Sequence, residues 1–494
     1  MNKPIRTMAV VCLTLFLALL LNVTYVQYWQ AESLSSLSEH PDNVRVRDAE
    51  FSRERGSILV RGQAVAESVP SDDAYQFQRQ YPRPLQFAHL AGFFSRDSGL
   101  GGVEASQNSI LSGSDSRLFG YRVVDLADNE QPRGGSVTLT IDPAAQRAAY
   151  EGLAALGDDV QGAVVALEPS TGKVLAMVSS PRFDPNRLSS HDFSAASDYR
   201  NQLLDAPRRP LDNRAIEEAL PPGSVFKLVT AAAALESGDY EPDTQVDGRA
   251  SLDLPQTSTT LPNLGGGSCG GDTVSLTRAL EVSCNVAFGS IGLDLGAEAL
   301  REQSQKFGFD TRTFEDLDDA LTRQAVSTIG DPDEPQTALS AIGQSNVVAT
   351  PLQMAMVAAG IANDGVVRRP YLVDEILSPK LETLERTDPE DMPDQPAMSP
   401  ENARDLREMM VSVVDNGTGT TAQIDGVDVG GKTGTAQSAP DRPPYAWFVS
   451  FAPADTPSVA VAVLVQDAGV ERNQISGSGL AAPIARAVMQ AVIG

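Results

Sequence analysis

The sequence predicts an α/β (α+β) protein behind one membrane helix, with a sheet built from strands at both ends of the ectodomain and covered by helices from its middle. Three observations carry that expectation. A charge-free apolar run occupies Met8–Val26. Short β-like runs broken by glycine and proline fill residues 30 to about 145. Beyond them, alanine-rich helical stretches separate a hairpin near 162–180 from strands after 430.

The apolar run is about the ~20 residues that a bilayer-spanning helix needs. Lys3 and Arg6 precede it, whereas Glu32 and Glu39 come before the next basic residue, Arg45. This bias places the N-terminus in the cytoplasm and the remainder outside the membrane. Tyr25, Tyr28 and Trp29 suit an interfacial aromatic belt, and Ala31-Glu32-Ser33 is a poor, late cleavage site for a signal peptide. Next, SILV, YQFQRQY, GYRVVDL and SVTLTI read as strands of a small irregular module. DPAAQRAAYEGLAAL, from Asp142, reads as an aspartate-capped helix started by proline. GAVVALEPSTGKVLAMVSS reads as a hairpin turning at Glu168–Gly172. Helical stretches follow near 225–236, 275–300, 335–362 and 400–415. GGKTGTAQ, AWFVSFA and SVAVAVLVQ are predicted strands, and AAPIARAVMQAVI a closing helix. Residues 379–400, acidic and proline-rich, read as a surface loop.

Composition narrows the chemistry. The chain has 494 residues, enough for two to four domains, and 41% are hydrophobic, which suits globular cores. A net charge of −27 argues against a nucleic-acid partner. Only six of the 38 basic residues are lysine (Lys3, Lys173, Lys227, Lys306, Lys380 and Lys432). A chain that otherwise uses arginine should keep lysine where arginine cannot serve, and catalysis is one such place, since a desolvated lysine can lose its proton. The three histidines, His40, His89 and His191, lack a nucleophile-elbow context. Any serine nucleophile here needs another activator. The cysteines Cys12, Cys269 and Cys284 lack metal-ligand spacing, so neither a metal nor a cofactor is implied. Outside the membrane, Cys269 and Cys284 could close a short loop worth about 3 kcal/mol, or remain two free buried thiols.

Three motifs stand out. Ser224-Val225-Phe226-Lys227 opens a helix after Pro221-Pro222-Gly223. Residues three apart share a helix face, so the serine hydroxyl and lysine amine can meet. A desolvated lysine there can serve as base. Ser170-Thr171-Gly172-Lys173 matches the same pattern inside a hairpin turn, where nothing desolvates the lysine. Ser283-Cys284-Asn285 follows a helical run and should sit in a turn that aims Ser283 and Asn285 one way and Cys284 the other. Ser106-Gln107-Asn108 matches that short pattern too and shows how little it means alone. Lys432-Thr433-Gly434-Thr435, after Val429-Gly430-Gly431, reads as an edge strand whose glycines admit another backbone. Such an edge can add a peptide strand, and Lys432 can attract its terminal carboxylate.

In this order the three motifs resemble the set found in penicillin-binding proteins and class A β-lactamases. The resemblance extends along the chain. Arg55-Gly56-Ser57-Ile58 is similar to the opening of the class B N-terminal module. Leu139-Thr140-Ile141-Asp142, with Gln146, is similar to its junction with the transpeptidase domain. Asn213-Arg214-Ala215, Gly343-Gln344, Thr350-Pro351-Leu352-Gln353-Met354-Ala355 and Ala446-Trp447-Phe448 resemble further landmarks. The best match is the actinobacterial penicillin-binding protein A type. Two positions depart from the pattern: Leu59-Val60-Arg61-Gly62 replaces an Asp-Arg-Asn-Gly run, and Tyr445 stands where a histidine is expected.

The resemblance implies a cytoplasmic tail at 1–7, an anchor at 8–28, a pedestal or dimerisation-like module at 29–145, and a transpeptidase domain at 146–494 with a central antiparallel sheet flanked by helices. It implies attack by Ser224 on the penultimate D-alanine of a stem peptide ending in D-Ala-D-Ala, with Lys227 as base. The backbone N–H groups of Ser224 and Thr435 would hold the oxyanion, Ser283 would relay a proton, and Asn285 would bind the substrate amide. Lys432, Thr433 and Gly434 would form the carboxylate end of the site, and β-lactams would acylate the same serine. No metal or cofactor is called for. A polytopic glycosyltransferase is the expected protein partner. The rival readings are a β-lactamase or β-lactam sensor, which the anchor and pedestal disfavour, and a non-catalytic scaffold, which the intact motifs disfavour.

Overall fold

The computed structural model describes all residues except 1, 29–47, 49, 129–130, 319–323 and 438–441. Trp29, Glu32, Glu39, His40, Arg45 and the weak cleavage site therefore lie outside the described residues. Two units are distinguished, residues 1–53 with 70–77 and residues 54–69 with 78–494. In the first, Asn2–Tyr28 is one helix. Its segment Lys3–Val26 is long and apolar enough to cross a membrane, 24 residues that rise about 36 Å.

In the second unit, a five-stranded antiparallel sheet forms the centre. Its order is Gly430–Ala436, Tyr445–Ala452, Val459–Asp467, Gln161–Leu167 and Val174–Ser180. The 162–180 hairpin thus lies beside strands nearly 300 residues later, as the two-ended sheet predicts. The three inner strands are buried almost throughout, so they read as apolar runs rather than alternating ones. One face is covered by Pro143–Ala154 and Ala482–Ile493, the other by the wholly buried helix Pro351–Ala362. Asp142 caps its helix through Ala144 N and Ala145 N, with proline at the first position. Lys227–Ser237 and Asn285–Lys306 pack together in an all-helical layer.

A second sheet has six strands, and two of them, Val373–Leu377 and Thr383–Arg386, come from far along the chain. Val373–Leu377 pairs antiparallel with Ser136–Leu139, which runs parallel to Ile58–Val60. Segment 379–400 is therefore not simply a surface loop. It supplies an edge strand, and Met392, Ala397 and Met398 are buried. GYRVVDL is also not a strand but part of the helix Phe119–Ala127. Leu118, Tyr121, Arg122 and Asp125 recur at helical spacing on its less exposed side, and that periodicity outweighs the β-branched pair Val123-Val124. Arg61 and Gly62, at the departure from the family pattern, form the tight turn before Gln63, both at positive φ.

Arg55 sits inside this sheet region rather than on its surface. Its guanidinium meets the fully buried Glu104 at 2.9 Å, and Arg79 meets the other carboxylate oxygen at 2.6 Å. Tyr81 donates to the same carboxylate at 3.2 Å. Burial by itself would raise the Glu104 pKa; the two guanidiniums reverse this and hold it below its ordinary value.

Candidate active site

The turn carrying Ser224 is clamped from three sides. Residues Gly223–Phe226 form a 3₁₀ turn that runs into the helix Lys227–Ser237. Trp447 Nε1 donates to Pro221 O at 3.0 Å, and Gly223 N donates to Gly343 O at 2.9 Å. Gly343 lies at φ +72°, and a Cβ there would stand 2.2 Å from Gly223 O. Gly434 on the edge strand admits the same turn, since its Cβ would lie 3.0 Å from Pro222 O. Gly434 therefore serves the approach of the Ser224 turn, whereas Gly430 and Gly431 make room for the rings of Phe451 and Phe448.

Lys227 is completely buried. Its Nζ lies 2.7 Å from Ser283 O, 2.8 Å from Asn285 Oδ1 and 3.2 Å from Ser283 Oγ. The Asn285 amide is oriented by its Nδ2, which donates to Pro262 O at 3.0 Å. Lys227 thus faces two obligate acceptors and one hydroxyl. A neutral amine matches this set, donating two protons and accepting one from Ser283. Burial, with the nearby charge of Lys432 second, holds its pKa well below the usual amine range. Ser224 makes no hydrogen bond to Lys227 among the described residues. For direct transfer, the Lys227 lone pair must exchange the Ser283 hydroxyl for that of Ser224.

Lys432 is also fully buried. Its Nζ donates to Ser283 Oγ at 3.0 Å and to Thr433 O at 2.8 Å, and burial lowers its pKa to about 7. Neither amine has a carboxylate partner among the described residues, so a proton on each would be two uncompensated charges around one hydroxyl. Protonated Lys432 and neutral Lys227 satisfy the Ser283 geometry together.

Ser283 occupies the linker between Leu276–Glu281 and Asn285–Lys306, at φ +58°. Cys284 turns away from the cleft and is joined to Cys269 (S–S 2.08 Å). Asn263 braces the intervening loop: its Oδ1 accepts from Val286 N at 3.0 Å, and its Nδ2 donates to Gly267 O at 3.0 Å.

Ser224, Ser283, Asn285, Thr433 and Thr435 line one cleft of 540 Å³. Lys227, Lys432 and Gly434 stand behind that surface. The decoy motifs lie elsewhere. Lys173 pairs with Asp374 at 3.0 Å, Ser106 donates to Asp316 O, and Asn108 accepts from Arg55. Sequence reasoning missed Asn263, Leu264 and Thr418, which also line the cleft. Their loops carry no periodicity, and only the glycines around them marked the backbone as special.

A buried lysine pair around a serine, beside a half-buried serine and an edge strand, defines a serine acyltransferase site of the penicilloyl-accepting class. Residues 162–490 match the penicillin binding protein transpeptidase domain, so the chain belongs to the penicillin-binding protein transpeptidase family. Within that family it is of the penicillin-binding protein A type, and residues 55–137 match the penicillin binding protein A dimerisation domain. The peptidoglycan D,D-transpeptidase PbpA of Mycolicibacterium smegmatis is 44% identical over 500 residues, covering 100% of this chain and 99% of that one. The corresponding protein of Mycobacterium tuberculosis is 42% identical over 503 residues, again covering 100% and 99%. The ceftriaxone acyl-enzyme structure of penicillin-binding protein A from M. tuberculosis aligns with a TM-score of 0.85 at 42% identity, covering 90% of this chain and 100% of that one.

Proposed function

We propose that this chain is a peptidoglycan D,D-transpeptidase that cross-links stem peptides through an acyl-enzyme on Ser224 and is inhibited by β-lactams. The observation that carries the reading is the buried Lys227 amine, held among two carbonyl oxygens and the Ser283 hydroxyl with no counter-ion among the described residues. Burial, with the nearby Lys432 charge second, favours the neutral form of an amine so placed, the form that can accept a proton.

Ser224 Oγ attacks the carbonyl carbon of the penultimate D-alanine, and its proton passes to Lys227. The oxyanion is received by the backbone N–H groups of Ser224 and Thr435. Collapse breaks the peptide bond, and Ser283 delivers its proton to the departing amine of the terminal D-alanine while taking in its place the proton that Lys227 received from Ser224. A second stem peptide's amine then attacks the ester and frees Ser224. Asn285 binds the substrate amide. Thr433 meets the terminal carboxylate, with the Lys432 charge behind it.

The apolar helix serves as an anchor at 8–28 with residues 1–7 cytoplasmic, because Lys3 and Arg6 precede it. The module at 29–145 acts as a pedestal for the transpeptidase domain at 146–494, and a polytopic glycosyltransferase is the expected partner of the anchor and pedestal. The test is labelling of the full-length protein with a fluorescent penicillin. Wild type and Ser170→Ala should carry label through denaturation, and Ser224→Ala should carry none. A folded wild type without label would move the reading to a scaffold. Rapid release of the label would move it to a β-lactamase.

A further inference from the structure

Between helix Pro400–Asn416 and the edge strand, the segment Gly417–Gly419 touches both motif-bearing elements beside the cleft. Thr418 N donates to Glu281 O at 3.1 Å, and Gly419 N to Val413 O at 3.0 Å. The Ser412 hydroxyl is hydrogen-bonded to the Glu281 carboxylate. Glu281 ends the helix two residues before Ser283, so this segment is tied to the base of the Ser283 turn. On its other side, Thr418 Oγ1 lies 2.7 Å from Thr433 Oγ1. Both threonines line the cleft that Ser224 faces.

Two hydroxyls in one hydrogen bond share a single proton between them. If Thr433 donated to Thr418, it would present only lone pairs to the cleft and repel an anionic oxygen. If Thr418 donates, the Thr433 proton is free to turn toward the ligand, and each bond polarises the next. Lys432 Nζ donates to Thr433 O at 2.8 Å, so the positive charge lies behind this same residue. A carboxylate in the cleft therefore selects the second arrangement.

We infer that Thr418 is a positioning residue: by donating to Thr433 Oγ1 it aims the Thr433 proton into the cleft and so sets the preference for ligands that end in a carboxylate. This rests on the transpeptidase reading and adds a specificity determinant to the same site. A valine at 418 keeps the bulk but lets the Thr433 hydroxyl rotate, whereas a serine keeps the donor.

The experiment compares acylation of the full-length protein in detergent by benzylpenicillin and by its methyl ester, for wild type, Thr418→Val and Thr418→Ser. In Thr418→Val, acylation by the acid should fall about tenfold, the worth of one hydrogen bond to a charged group. The ester rate should not change, so the acid-to-ester ratio falls by the same factor. The loss should appear as weaker binding of the acid rather than a slower limiting rate. Thr418→Ser should restore the ratio to within about twofold, as a retained donor requires. An acylated Thr418→Val with the wild-type ratio overturns the inference, as does an equal loss for acid and ester. A wild type that the acid fails to acylate overturns the transpeptidase reading, and this inference falls with it.

Discussion

The Lys227 amine donates to the Asn285 side-chain oxygen across 2.8 Å, and Asn285 in turn donates to Pro262 O. The amide cannot turn over without losing both bonds, so it presents an uncharged oxygen to a buried amine. That keeps two motif elements in register without supplying the negative charge that would hold a proton on Lys227.

Replacing Asn285 with aspartate places a carboxylate beside the amine and favours its protonated form. Acylation of Asn285→Asp at neutral pH should drop by roughly a hundredfold, the low end of what a positioned base contributes. Its acid limb should move to higher pH. Stopped-flow acylation across pH measures both, and an unmoved limb would show that Lys227 is not the titrating base.

Lys432 makes stability depend on pH. The unfolded chain keeps a lysine proton to about pH 10.4, whereas the buried Lys432 releases it at about 7. Between those values the unfolded state binds more protons, so this residue's contribution rises with pH. Below 7 the cost of the buried charge is present in full. Lys432→Met should therefore raise Tm most at pH 6, with the gain shrinking toward pH 9. Parallel Tm profiles for variant and wild type would contradict this.

Gly343 holds the turn that carries Ser224 through backbone contact alone. In Gly343→Ala the new methyl would stand 2.2 Å from Gly223 O, at a φ that costs alanine strain as well. The turn must shift, and acylation should fall at least about tenfold, because a displacement near 1 Å can cost a hundredfold. Circular dichroism should show the fold retained. Wild-type acylation in this variant would mean the turn tolerates the displacement.

Glu104 neutralises two buried guanidiniums. Glu104→Ala strands both and should cost roughly 3–5 kcal/mol in denaturant unfolding, as breaking a buried pair does. Acylation of the folded fraction should be unchanged, since none of these groups lines the cleft. A loss below about 1 kcal/mol, the range of an exposed pair, would mean that water reaches the site.

Much of the proposed site was legible in the chain because rare residues mark it. Lysine scarcity pointed to Lys227 and Lys432, and glycine density pointed to the edge strand. Context also separated Ser224 from Ser170, since a hairpin turn cannot desolvate Lys173. Thr418 had no such signal. Its meaning depends on a contact with Thr433 that two irregular segments create. The misread GYRVVDL shows a related limit: β-branched residues suggested a strand, while packing of Tyr121, Arg122 and Asp125 on one side made it a helix.

What the sequence determined by itself was local and periodic: the apolar run at Met8–Val26, the Asp142 cap, the 162–180 hairpin, and the identity and order of the three motifs. Tertiary structure alone decided which groups meet around Ser283, that Lys432 stands behind Thr433 rather than in the cleft, and that strands from 373–386 complete a sheet begun at Ile58. Periodicity reports which face of an element is buried. It carries no record of the long-range pairing that buries it, and the protonation of Lys227 and Lys432 follows from that burial.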